Sequence, residues 1–252
     1  MPSKIIINHS ENYRERSGKI RYIIIHCSKF SVEKQIEILD EYKLSTHYII
    51  SQNGEITENC PPERVAYHSG ESKWLQSEEK SLNEYSIGIE LEAHNLGQIA
   101  EDYSRKQLMA LNRLLKKLSK EYHIRPENIL GHSDIAPTRK IDPGCGFPWY
   151  KFYKKGYGIW PNMKQKHPSD NEEELLRIIG YDTENLVAAR YAFCRHFFAE
   201  EVFYNADLQE LLDNPYPKDF APHRQAKYML RLRATAQAYQ IARQKKYWYM
   251  AE

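Results

Sequence analysis

The chain has 252 residues, 41% of them apolar and 28% charged, the proportions of an ordinary globular protein with room for one large domain or two modest ones. A formal net charge of only +2 provides no global field for nucleic acid, and no stretch approaches the roughly 20 apolar residues of a membrane span. The N-terminal segment MPSKIIINHSENYRERSGK holds too short an apolar run for a signal peptide, so the chain reads as cytoplasmic, or as periplasmic or envelope-located if a leader has been removed.

In chain order, IRYIIIH (20–26) is a β-branched apolar run that predicts a strand buried on both faces. Ser31 then opens an amphipathic helix with Val32, Ile36 and Leu39 on one face. THYIISQNGEI (46–56) sets Asn-Gly between two apolar runs, a hairpin signal. YSIGIELEA (85–93) alternates, with Ile87, Ile89 and Leu91 on one face of a strand and Gly88, Glu90 and Glu92 on the other. SRKQLMALNRLLKKLSKEYH (104–123) places Leu108, Leu111, Leu115 and Leu118 at helical spacing behind a serine cap. Strands interleaved with helices indicate an α/β fold.

GHSDIAPTRKIDPG (131–144) follows, and reads as too irregular for helix or strand. Beyond Trp149, KKGYGIWPNMKQKHPSDNEEE (154–174) is polar and turn-rich and reads as a linker. Helical patterns then fill residues 170–252 as a small bundle, with Gly180 ending its first helix and a long segment from about 222 to 247. Arg224, Lys227, Arg231, Arg233, Arg243, Lys245 and Lys246 stand there against Glu252 alone, which reads as a solvated basic face.

Four cysteines, Cys27, Cys60, Cys145 and Cys194, are scattered without a C-x-x-C pair and read as free thiols. Taken singly, His26 is a hydrogen-bonded core histidine, His132 a loop residue and Asp142 a turn residue before Pro143. Taken together, two imidazoles and a carboxylate make a three-ligand zinc site with an open fourth position. Such a metal acidifies water and polarises a carbonyl. Glu90 could then take a proton from that water, and Lys140, two residues before Asp142, could meet the oxyanion. Spacing alone leaves the convergence of these residues open.

IIIHCS, STHYIISQNGEI, PPERVAYHSGES, NEYSIGIELEAHN and GHSDIAPTRKIDPG occur in the order found in the zinc-dependent N-acetylmuramoyl-L-alanine amidases, so residues 20–150 resemble the AmpD/AmiD-like amidase type 2 family, related to phage amidases and peptidoglycan recognition proteins. The resemblance implies an α/β fold with a mixed central β-sheet flanked by helices, over residues 1–160, followed by a small all-α C-terminal domain over 161–252. It makes His26, His132 and Asp142 the ligands of one zinc ion, Glu90 the catalytic glutamate and Lys140 the catalytic lysine. It also places His68, in AYHSG, beside the substrate.

The implied reaction is hydrolysis of the amide between N-acetylmuramic acid, intact or 1,6-anhydro, and L-alanine of peptidoglycan or a muropeptide. YAFCRHFFAEEVFYNADLQELL resembles the helical C-terminal module of AmiD-type amidases, a peptidoglycan-binding-like domain, and the functional reading of the basic residues is contact with an anionic cell-wall polymer, another envelope surface or a partner. The competing reading is a non-catalytic recognition module, which usually lacks a zinc ligand; here all three stand with Glu90 and Lys140. A cysteine peptidase built on Cys145 finds no support in the spacing. His47 reads as structural, Glu92, on Glu90's face of the strand, as a support for the site or simply solvated, and Arg139 as a surface ion-pairing residue. Sugar form, stem peptide and oligomeric state are not legible.

Overall fold

The computed structural model describes residues 5–75, 80–205 and 207–245. In chain order the first half forms β1 (Ile5–Ile7), β2 (Tyr13–Glu15), β3 (Tyr22–Ser28), α1 (Val32–Glu41), β4 (Tyr48–Ile50), β5 (Ile56–Glu58), β6 (Arg64–Ala66), β7 (Ser86–Glu92), α2 (Arg105–Glu121), β8 (Ile129–Gly131) and α3 (His132–Ile135). The main sheet runs β1-β5-β4-β7-β3-β8. Its β4–β5 pair is antiparallel across the Asn53–Gly54 turn, where Gly54 has φ +85°, and the other neighbours run parallel. β2 and β6 form a separate antiparallel ribbon.

The apolar run in β3 is explained by cover on both faces. Ile23, Ile25 and Cys27 join Ile87, Ile89 and Leu91 of β7 against Ala110, Leu111, Leu114, Leu115 and Leu118 of α2. Tyr22 and Ile24 face the other way, into a cluster with Leu130 and the C-terminal helices. Those helices are α5 (Glu172–Ile179), α6 (Leu186–Phe197), α7 (Ala199–Asn205), α8 (Leu208–Asp213) and α9 (Gln225–Gln244), while α4 (Trp149–Tyr153) packs Trp149 and Phe152 into the α2 cluster. The expected mixed sheet with flanking helices and an all-α C-terminal half is the fold observed. No helix among the described residues is long and apolar enough to cross a membrane.

Several local expectations need correction. The strand at 20–26 is displaced two residues, so His26 lies inside β3 rather than at its end. The face of α1 that carries Val32, Ile36 and Leu39 is only half-buried, and its buried residue is Gln35, which donates to Phe30 O. The segment 131–144 is not wholly irregular: β8 ends at Gly131 and α3 makes one helical turn. The supposed linker is packed, with Ile159 and His167 buried and His167 N donating to Arg233 O.

The basic C-terminal face is largely spent inside the molecule. Arg224 pairs with Glu200 and Glu201, Arg233 with Asp170 and His167 O, Arg231 donates to Phe197 O, and Arg243 to Ile178 O and Ile179 O. Lys227 and Lys245 are exposed, while residues 1–4 of the N-terminal segment and 246–252 of the basic segment lie outside the described residues.

Candidate metal centre

Parallel pairing sets the first part of the site. The β3–β7 register puts His26 opposite Glu90, and the β3–β8 pairing at Ile25–Gly131 delivers His132 immediately beyond the end of β8. From there α3 turns once, Arg139 N and Lys140 N both bond back to Ala136 O, and Ser133 N donates to Asp142 O at 2.8 Å. That last bond closes the loop and returns Asp142 to His132.

Two C-terminal elements hold this loop. Asp134, fully buried, accepts from Gly131 N (2.7 Å), from Tyr181 Oη (2.7 Å) and from His196 Nδ1 (2.8 Å). Its neighbour on α6, Arg195, donates to Lys140 O at 3.1 Å. The His196 ring is buried and stacked on Trp149, with centroids 3.9 Å apart.

The three expected ligands converge. His26 Nδ1 lies 2.9 Å from His132 Nδ1 and 3.3 Å from Asp142 Oδ2, and His132 Nδ1 lies 3.0 Å from the same oxygen. A tetrahedral site with bonds of about 2.0–2.1 Å separates its ligand atoms by about 3.3 Å. All three residues are buried, and their donor atoms lie within 4.8 Å of one another. His132 Nε2 is 3.1 Å from Ser69 O, which only accepts, so this ring carries its proton on Nε2 and turns a bare Nδ1 to the cluster. The group therefore fits a cation.

Electrostatics point the same way. Burial, then His132, lowers His26 to about 4, so its imidazole is neutral at neutral pH and free to ligate. Burial acts to raise Asp142, but His132 and His26 outweigh it and hold this carboxyl well below the usual range. Glu90 is pushed up to about 8, first by burial and then by the charge of Asp142, with Lys140 working in the opposite direction. Its Oε2 is buried and accepts no hydrogen bond from a described residue. A half-buried carboxyl of high proton affinity and a nearby lysine thus stand beside the three donors.

The remaining sequence expectations sort themselves around this centre. His68 touches His26 rather than projecting away, its Nδ1 at 2.9 Å from His26 Nε2 and its Nε2 at 3.1 Å from Ser86 Oγ. His47 is structural: its Nδ1 accepts from Gly88 N. Glu92 accepts from Gln52 N. Arg139 makes no surface ion pair among the described residues; it donates to the carbonyls of Ser69 and Glu71. All four cysteines are free. Cys145 lies outside the donor group, and burial raises its thiol to about 11, the reverse of what a nucleophilic cysteine needs. Ser69, Ser86 and Asp134 are site residues that sequence reasoning missed.

Residues 16–145 match the family described as N-acetylmuramoyl-L-alanine amidase. The N-acetylmuramoyl-L-alanine amidase AmiD of Escherichia coli K12 is 32% identical over 219 residues, which cover 75% of this chain and 78% of AmiD. The 1,6-anhydro-N-acetylmuramyl-L-alanine amidase AmpD of Enterobacter cloacae is 39% identical over 110 residues, 44% of this chain and 56% of AmpD. Among solved structures, AmpDh3 of Pseudomonas aeruginosa superposes with a TM-score of 0.70 at 25% identity, covering 88% of this chain and 93% of that one. AmiD of Escherichia coli, solved with the substrate anhydro-N-acetylmuramic acid-L-Ala-D-γ-Glu-L-Lys, gives 0.67 at 26% identity, covering 92% and 99%. With the fold, the metal-ligand geometry and these relatives in agreement, the chain belongs to the N-acetylmuramoyl-L-alanine amidase family.

Proposed function

We propose that the chain is a zinc amidase that hydrolyses the bond between the lactyl carbonyl of N-acetylmuramic acid, intact or 1,6-anhydro, and the L-alanine of a stem peptide. The observation that carries this reading is the convergence of His26 Nδ1, His132 Nδ1 and Asp142 Oδ2 beside Glu90 and Lys140. The muropeptide bound by AmiD supports the substrate class. His26, His132 and Asp142 would hold one zinc ion, which when bound supplies a Lewis acid and an acidified water.

The protein's own groups do the rest. Glu90, lifted toward neutrality by burial, has the proton affinity to take a proton from the attacking water and return it to the leaving alanine amine. The Lys140 cation offsets negative charge gathering on the amide oxygen. Burial keeps His26 neutral, so it competes for metal rather than for protons. We assign these steps to residues 1–160 and treat 161–252 as the helical unit that holds the loop through Arg195 and His196.

Mass spectrometry of N-acetylmuramyl- and anhydro-N-acetylmuramyl-peptides after incubation tests the reading. Release of free stem peptide, abolished by a zinc chelator and restored by zinc, is the expected result. No release from either sugar form, with zinc confirmed bound, would replace the amidase by a recognition module.

A further inference from the structure

We infer that Ser86 and His68 form a hydrogen-bond relay that selects the metal-binding tautomer of His26 and thereby sets zinc affinity. The inference rests on the zinc reading above, and its first test requires no metal.

The direction of the relay is fixed at its far end. Leu82 O can only accept, and Ser86 Oγ lies 2.7 Å from it, so the single hydroxyl proton points there. Ser86 Oγ then accepts from His68 Nε2 at 3.1 Å. A neutral imidazole carries one proton, so His68 Nδ1 is bare and accepts from His26 Nε2 at 2.9 Å. His26 is left with its lone pair on Nδ1, facing His132 Nδ1 and Asp142 Oδ2. A carbonyl at one end thus decides which atom is presented at the other.

Without such a relay, a rival state would be favourable. His26 could place its proton on Nδ1 and donate to Asp142, 3.3 Å away, which satisfies the carboxylate and blocks the metal. In the folded protein that tautomer only moves the bare pair, from His26 Nδ1 and His132 Nδ1 to His26 Nε2 and His68 Nδ1, each 2.9 Å apart, and it gives up the relay's bond from His26 to His68 unless the whole chain reverses and withdraws the proton from Leu82 O. Ring partners of this kind typically change metal affinity by about 10–100-fold.

The fold commits several residues to the arrangement. Asn83 Oδ1 accepts from both His68 N (3.1 Å) and Ser69 N (2.8 Å). One two-residue segment therefore delivers the His68 ring to His26 and the Ser69 carbonyl to His132, fixing both ligands. Gly88 of β7 leaves space for the ring, since a Cβ there would fall 2.5 Å from His68 Cγ. Sequence reading placed His68 at the substrate; with both ring nitrogens engaged in this way it is a positioning residue.

Long-range ¹⁵N–¹H correlation spectra of histidine-labelled, metal-free protein read the tautomers directly. His26, His68 and His132 should all appear as Nε2–H; His26 or His68 as Nδ1–H would overturn the relay. Zinc affinity by competition with a chromophoric chelator gives the second readout. The amide oxygen of Asn can stand where His68 Nδ1 stands, whereas the terminal amide of Gln falls near Nε2. His68→Asn should therefore stay close to the parent, and His68→Gln should weaken zinc by about 10–100-fold. Ser86→Ala should lose less than His68→Gln. Equal affinity for His68→Gln and the parent would also overturn the relay. Unfolding curves of the metal-free variants separate this from loss of fold. A protein that shows the tautomers and the affinity split yet releases no stem peptide would refute the amidase reading and leave the relay standing.

Discussion

On one face of β3 and β7, Ile23, Ile25, Ile87, Ile89 and Leu91 meet the leucines of α2; on the other, one residue along each strand, stand His26, Gly88 and Glu90. The same backbone carries both sets, and the alternation of a strand forbids mixing them. The α2 face is apolar and closed, with Ile23, Ile25, Ile87 and Ile89 wholly buried. The site face holds ionisable groups that burial disfavours, including a carboxyl oxygen without a hydrogen-bond partner among the described residues. The difference teaches that register is the parameter joining stability to chemistry here: a slip of one residue in β3 would turn His26 into the leucines and Cys27 toward the loop.

The comparison is broken most sharply at Glu90. Glu90→Gln keeps the volume and removes the base, so amide hydrolysis should fall by about 100–10,000-fold while zinc still binds in a one-to-one ratio. Turnover assays with zinc content measured on the same sample check it, and full turnover would remove Glu90 from the reaction. The mirror experiment lies on the opposite face. Leu115→Ala, at a wholly buried position, should lower unfolding free energy by about 2–5 kcal/mol and leave kcat/KM per folded molecule unchanged. Urea unfolding and activity below the transition measure the two quantities separately. A fall in kcat/KM without loss of fold would show that the faces are coupled.

How much of this was legible beforehand differs by residue and for physical reasons. The ligands were legible as a set and through the order of five family motifs, whereas singly a histidine in an apolar run, a loop histidine and an aspartate before a proline are ordinary. Their convergence was not legible, since it depends on the pairing of the three-residue β8 and on the Ser133–Asp142 bond that closes the loop. A three-residue strand is too short to show a period. Asp134 sits inside the conspicuous motif, yet its partners Tyr181 and His196 lie 47 and 62 residues away, and no local pattern connects them. The C-terminal arginines misled for a related reason. Composition counts charge, whereas Arg231 and Arg243 use theirs on helix-end carbonyls that only the fold brings within reach. The Ser86–His68 contact was hidden similarly: a serine opening a strand carries no signal until a histidine 18 residues earlier is laid over it.

The pH dependence of stability is the most direct test of whether the site face is dry. In metal-free protein Glu90 titrates near 8 in the fold against 4.5 as its ordinary value, raised first by burial. Below 4.5 both states hold the proton, and its contribution to stability is fully present. As pH rises from there the unfolded chain ionises while the folded one does not, so the folded state binds more protons and stability falls with pH. The contribution is lost by the time pH passes about 8. Glu90→Gln lacks this proton, so its stability relative to the parent should climb across that window and level off above it, as measured by denaturant unfolding at several pH values. Adding zinc places positive charge beside the carboxyl, opposes the shift and should shrink the climb. A difference that stays constant with pH would mean that water reaches Glu90 as it reaches a surface carboxylate, and its role as a base would then have to come from the metal's neighbourhood rather than from the sheet.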